Sequence, residues 1–146
     1  MENHNKMQNI RIHKGFWKRS QVAQDTESVY VFGDNVHDSV FFYVPRSTQA
    51  CIRQLHNVIG IPTKRSRWTN DEDYFNDSDL KSFSFLLDFA IKEIKQKMEE
   101  GKTIVFPENG IGTGKALMAE KAPSLFKHLC ERLKTEFDYD NGQVPQ

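Results

Sequence analysis

The chain predicts an α/β domain, a single three-layer unit in which helices flank a mostly parallel sheet. Three observations carry that expectation. Short apolar segments alternate with longer helical patterns, the segments lack the polar alternation of a one-sided sheet, and glycine or proline closes each strong one. Strands that are apolar on both sides suit parallel sheets covered on both faces. With 146 residues, 38% hydrophobic and 27% charged, the chain has the size and composition of one folded domain. The core is expected over about 9–136, with 137–146 (FDYDNGQVPQ) as a frayed tail.

The elements follow in order. Residues 9–13 (NIRIH) read as an alternating edge strand, and Ser20 to Gln24 as one helical turn. Residues 28–33 (SVYVFG) form a strand ended by glycine. Residues 47–55 (STQACIRQL) read as a short helix capped by Ser47. Residues 57–61 (NVIGI) form a buried strand stopped at Pro62, and 62–77 are polar and turn-rich. From Ser78 to Glu100, Leu80, Phe83, Leu87, Ala90, Ile94 and Met98 recur at helical spacing. Phe85, Leu86, Phe89 and Ile91 widen that stripe, so this helix is expected to pack on more than one side. Gly101 stops it. Residues 103–106 are the third strong strand. A last helix carries Pro123 in its first turn and Leu125, Phe126, Leu129 and Leu133 on one face.

Composition excludes several classes. Twenty basic and 20 acidic residues cancel, whereas a duplex nucleic-acid binder carries a basic excess. No apolar run approaches the roughly 20 residues of a membrane span, and the polar start MENHNKMQN is not a signal peptide. Cys51 and Cys130 are expected as free thiols in a reducing cytoplasm. His4, His13, His56 and His128 show no metal-ligand spacing, so no metal and no cofactor are expected. His37, Asp38 and Ser39 are consecutive and do not by themselves form a relay.

Chemistry concentrates at the carboxyl edge of the predicted sheet, where loops leaving parallel strands converge and ligands bind. Those loops hold FGDN, PTKR and PENGIGTGK. In the last, Gly110, Gly112 and Gly114 alternate between a strand and a helical pattern resuming near Met118. Such a turn either makes a tight connection or points several N–H groups at a phosphate or diphosphate. It is not a P-loop, because Asn109 stands where the first glycine belongs and Ala116 where the hydroxyl belongs. A dinucleotide fingerprint fails too, because the third glycine comes one residue early. Asp34 and Asn35 are positioned to grip a ribose hydroxyl or base amine, or to form an Asx turn. Thr63, Lys64, Asn109, Ile111, Thr113 and Lys115 complete the candidate ligand-binding set. Lys64 and Arg65 supply positive potential beside it or pair with the acidic run Asp71 to Asp79. Asp34 and Glu108 are weak candidates for a general base. Trp17, Trp68 and Tyr74 are candidates for base stacking or for packing.

With FGDN, IGIPTKR and PENGIGTGK on the page, residues 28–130 resemble the macrodomain-like superfamily. The nearest likeness is to small macro-like proteins of bacteria and T-even-type tailed phages. The resemblance implies a macrodomain-like fold and an ADP-ribose-type nucleotide as ligand. It places Asn35 by the distal ribose and wraps Gly110 to Gly114 around the diphosphate. It leaves open an enzyme that hydrolyses ADP-ribose linkages on modified macromolecules. It also leaves open a catalytically dead phage protein that binds a host protein through the Phe41–Tyr43 loop. Two departures from the family pattern weigh against catalysis. No glycine stands between Gly33 and Gly60, where Phe41, Phe42 and Tyr43 are expected to crowd the ribose path. Lys115 and Ala116 stand where the deacylase branch carries an acid.

Overall fold

Four parallel strands lie in the order β1–β4–β2–β3 in the computed structural model, which describes residues 9–142. The strands are β1 (Ile10–His13), β2 (Ser28–Asn35), β3 (Val58–Lys64) and β4 (Thr103–Pro107). Between them run α1 (Arg19–Gln24), α2 (Val36–Phe41) and α3 (Leu80–Glu99), followed after β4 by α4 (Met118–Lys121) and α5 (Pro123–Phe137). Short 3-10 turns occupy Gln49–Ile52, Asp71–Asp73 and Asp77–Asp79. The expected α/β class and parallel sheet are what the chain forms.

Successive strand residues point to opposite faces, and this alternation divides the core in two. Val29, Val31, Ile59, Ile61, Ile104 and Phe106 pack under α3 and α5, against Phe83, Leu87, Ile94, Leu125 and Leu129. Tyr30, Phe32 and Val105 face the other way, onto Trp17 and Val22 of the α1 region and onto Ala50, Cys51 and Ile52. One side is therefore covered by two long helices and the other by short pieces.

Several expectations need correction. α3 packs on the sheet and against α5, with Ile91 buried, but its widened stripe is not covered throughout: Phe85 is 72% and Phe89 63% exposed, and Leu80 is exposed too. Residues 47–55 are not a helix. Only Gln49–Ile52 coil, Arg53 returns to extended backbone, and Ser47 caps nothing. The side chains of Gln49 and Arg53 are drawn inward to partners on β2, which overrides local propensity. β3 runs through Pro62 to Lys64. It is an edge strand paired only with β2, so the missing proline N–H is tolerated. α2 is an element the sequence pattern did not announce. Asn35 starts it by accepting the Asp38 N–H at 2.8 Å, and Phe42 in the left-handed region (φ 60°) ends it.

The tail is also not frayed through its described length. Tyr139 stacks on Phe106 with centroids 4.3 Å apart, its hydroxyl donates to the Pro107 carbonyl, and Asn141 is 1% exposed. Residues 143–146 lie outside the described residues.

Asp34 and Arg53 form a buried ion pair, with Arg53 Nε and Nη2 at 2.9 and 2.5 Å from Asp34 Oδ1. Burial pushes the Asp34 carboxyl above its ordinary value, against the pull of the guanidinium. Arg53→Met is expected to lower stability at neutral pH by about 3–5 kcal/mol, because it strands a buried carboxylate. A carboxyl whose folded value lies above its unfolded one loses stabilising effect as pH rises through that interval. The deficit of the variant therefore shrinks on acidification toward the ordinary carboxylate range, where Asp34 is neutral and needs no cation. Urea denaturation of both proteins at several pH values checks this.

Candidate functional site

β2 and β4 are neighbours, yet their ladder ends at Tyr30 and Val105. Past that point the chains diverge. β2 leads to the 3-10 face through α2, and β4 leads to α4 and α5 on the opposite face. Adjacent parallel strands whose connections part to opposite faces open a crevice at their carboxyl ends, where α/β proteins seat ligands.

The crevice has an occupant. The Gln49 side chain accepts a hydrogen bond from Gly33 N at 2.9 Å and donates one to the Gly110 carbonyl at 2.8 Å. It thus stands in for the missing ladder rungs. Trp17 Nε1 donates to the Gln49 carbonyl at 3.0 Å and anchors this residue from below. Sequence reasoning missed Gln49, since nothing in the run STQACI marks one polar residue as a bridge.

The glycine loop packs close by. A Cβ on Gly33 would lie 3.8 Å from the Gly112 nitrogen and 3.7 Å from Thr63 Oγ1. Gly112 has φ +80°, and a Cβ there would meet Met118 Sδ at 2.6 Å. Its glycine is therefore required twice over, by conformation and by space. The loop is shaped from behind by the tail. Asn141 accepts from Ile111 N at 2.6 Å and donates to the Ile111 carbonyl at 2.9 Å, as a neighbouring strand would. Gly110 N donates to the Pro107 carbonyl at 3.2 Å, and Ile111 places its side chain in the core. Gly110 and Ile111 are thus structural rather than ligand-facing, which corrects the expected donor set. The next N–H groups differ. Those of Gly112, Thr113, Gly114, Lys115 and Ala116 meet no acceptor among the described residues. The Thr113 hydroxyl donates to the Asn109 carbonyl at 2.6 Å, which tightens the turn and leaves Asn109 itself exposed.

Two lysines meet on the Tyr74 ring. Lys64 Nζ lies 4.3 Å from the centre of the Tyr74 ring, and Lys121 Nζ approaches the same ring at 5.0 Å. Burial pushes the Lys64 ammonium below its usual value, with the pull of Asp73 opposing and the charge of Lys115 reinforcing the shift. Lys115 itself is exposed. Arg65 is otherwise engaged, paired with Asp79 at 2.6 Å. Its charge joins the acidic run across the loop.

The remaining candidates have structural employment. The Asp34 carboxylate is committed to Arg53, and its carbonyl accepts from the Thr63 hydroxyl at 3.1 Å. Asn35 caps α2 and donates through Nδ2 to Asp38 at 3.1 Å, so the Asx-turn alternative describes it. Glu108 turns to the β1 side and accepts from Gly15 N at 2.7 Å. Asp38, dismissed as part of a relay, is buried and lies 3.0 Å from His37 Nδ1. His37 and Asn35 hold its carboxyl below the ordinary value despite burial. Phe41 and Phe42 are each 69% exposed, and Tyr43, 43% exposed, has the Arg67 guanidinium over its ring.

No group of His, Cys, Asp or Glu among the described residues gathers as a metal site, and no helix among them is long and apolar enough to cross a membrane. Cys51 and Cys130 are free thiols. The chain belongs to a family of unknown function (DUF7831), whose model matches residues 12–132. No curated protein and no solved structure matches it.

Asn141→Ala tests the tail as the mould of the loop. It leaves the buried N–H and carbonyl of Ile111 without partners, which costs about 1–3 kcal/mol for each group. The urea midpoint is expected to fall with an unchanged slope, and amide exchange at Ile111 is expected to accelerate.

Proposed function

We propose that this member of the family binds an ADP-ribose-type nucleotide at the carboxyl edge of the sheet, with its phosphates on the glycine loop. The observation that carries this reading is the run of main-chain N–H groups from Gly112 to Ala116, which meet no acceptor among the described residues. Main-chain donors left without partners in a glycine-rich turn suit phosphate oxygens. Lys64, Lys115 and Lys121 add positive charge around it. The resemblance of FGDN, IGIPTKR and PENGIGTGK to macrodomain-like proteins supports the same ligand class and a macrodomain-like fold.

The reading favours binding over hydrolysis. A general base must reach the reacting centre with its carboxylate free. Asp34 is bound to Arg53, and Glu108 to the Gly15 N–H. A second reading, attachment to a host protein, draws support from Val40, Phe41 and Phe42, which are 61%, 69% and 69% exposed.

Gly114 provides the direct test. A Cβ there meets nothing within 4 Å, and its φ lies outside the left-handed region. Gly114→Val is therefore expected to leave the urea midpoint unchanged. Calorimetry with ADP-ribose should show an affinity loss of about tenfold or more, the scale of one charge-assisted hydrogen bond. Full affinity in this variant would remove the phosphates from the loop.

Salt dependence tests the lysines. Exposed charges are screened over roughly 10 Å at 0.1 M salt. Wild-type affinity is expected to weaken with ionic strength, and Lys115→Ala to flatten that slope. Turnover assays on ADP-ribosylated protein and DNA are expected to show no release of ADP-ribose. Robust release abolished by Glu108→Gln or Asp34→Ala would establish the enzyme instead.

A further inference from the structure

Three aromatic side chains near the carboxyl edge were candidates for stacking, and the fold separates them. Trp17 is 5% exposed and hydrogen-bonded to the Gln49 carbonyl. Tyr74 is 7% exposed and covered by lysines. Trp68 is 47% exposed. Its loop is closed at the base, where Arg65 N and Ser66 N both donate to the Asp73 carbonyl, at 3.1 and 3.3 Å. Trp68 thus sits on a fixed loop between β3 and α3.

Its surroundings are aromatic rings and one guanidinium. The Arg67 guanidinium lies 3.6 Å over the Tyr43 ring and 4.9 Å from the Trp68 ring. Asp38 holds Arg67 by an ion pair of 3.6 Å. The His37 ring meets Trp68 edge-on at 4.9 Å. The group is an indole with one guanidinium and one imidazole against it, on a surface where solvent reaches the indole. Electron-rich heterocycles stack on such groups, and a purine offers the widest such face.

Lys64 lies between the platform and the glycine loop. Lys64 Nζ donates to the Trp68 carbonyl at 2.5 Å while lying over Tyr74, whose ring Lys121 of α4 also approaches. α4 directly follows the glycine loop. Thr63, the residue before Lys64, has its Cγ2 3.5 Å from where a Cβ on Gly112 would stand, which brings this lysine's strand end to the loop. We propose that Trp68, backed by Arg67, is the stacking platform for the base of a purine nucleotide whose phosphates lie on residues 112–116. The inference rests on the phosphate reading above for the second half of the ligand, and it adds the determinant for the first.

The test uses adenosine, pyrophosphate and ADP on the full chain by calorimetry, with tryptophan fluorescence in parallel. Wild type is expected to bind ADP about tenfold more tightly than pyrophosphate, the scale of one base stacked on an aromatic ring. ADP, but not pyrophosphate, should quench the exposed indole. Trp68→Ala should bring ADP down to the pyrophosphate affinity without moving the latter, and Trp68→Phe should restore most of the difference. Circular dichroism should be unchanged, since the side chain is exposed. Equal affinities for ADP and pyrophosphate in wild type, or an ADP affinity indifferent to Trp68→Ala, overturn the platform and leave the phosphate reading standing. Binding of adenosine and ADP alike, with none of pyrophosphate, keeps the platform and removes the phosphate reading. Binding of none of the three overturns both and leaves the aromatic surface to a protein partner.

Discussion

Everything at the carboxyl edge depends on the parting of β2 and β4. Their ladder stops at Tyr30 and Val105, and each chain then turns to its own face of the sheet. Parallel strands that separate leave peptide groups without ladder partners, and buried peptide groups must find others. Gln49 supplies both halves of the substitute, one donor and one acceptor on a single side chain. A residue 16 positions from Gly33 and 61 from Gly110 thereby fixes the gap between two loops. The 3-10 turn that carries it survives against helix propensity because its side chains are claimed by β2.

The same logic shapes the glycine loop. A loop leaving a strand toward a buried face carries peptide groups that the sheet no longer satisfies. Asn141 satisfies those of Ile111 with an amide, and Tyr139 caps the Pro107 carbonyl with a hydroxyl. The donors that remain over 112–116 are the ones this mould leaves open, which is why the tail and the candidate site cannot be considered apart.

Charge follows burial in a chain of no net charge. Buried carboxylates need partners. Asp34 has Arg53, and Asp38 has Asn35, His37 and Arg67. These pairs use up the acids on β2 and α2. Lys64 differs, because its contacts are a carbonyl and an aromatic ring rather than a carboxylate, and Lys115 adds repulsion. Lys64 thus stands with Asp73 pulling on its charge and Lys115 opposing it, in a molecule that is neutral as a whole.

Period and punctuation were enough to read the sheet. Uniformly apolar runs at 28–33, 57–61 and 103–106 became parallel strands, and the 3.6-residue stripe of 80–98 became α3, because such patterns bury against almost any neighbour. Parallel order then placed FGDN, PTKR and PENGIGTGK on one edge without further information. The use of each residue there was not legible. Asp34 reads like a ribose ligand until Arg53 is seen against it, and Ile111 reads like loop until it is seen in the core. Exposure was equally hidden for Phe85 and Phe89, since a helix carries its apolar residues whether or not a second layer exists to cover them. Local pattern determines which element forms, because its hydrogen bonds and its apolar face lie within a few residues. Which polar group stays unpartnered depends on residues far along the chain, such as Gln49 and Asn141. Only the folded packing decided that.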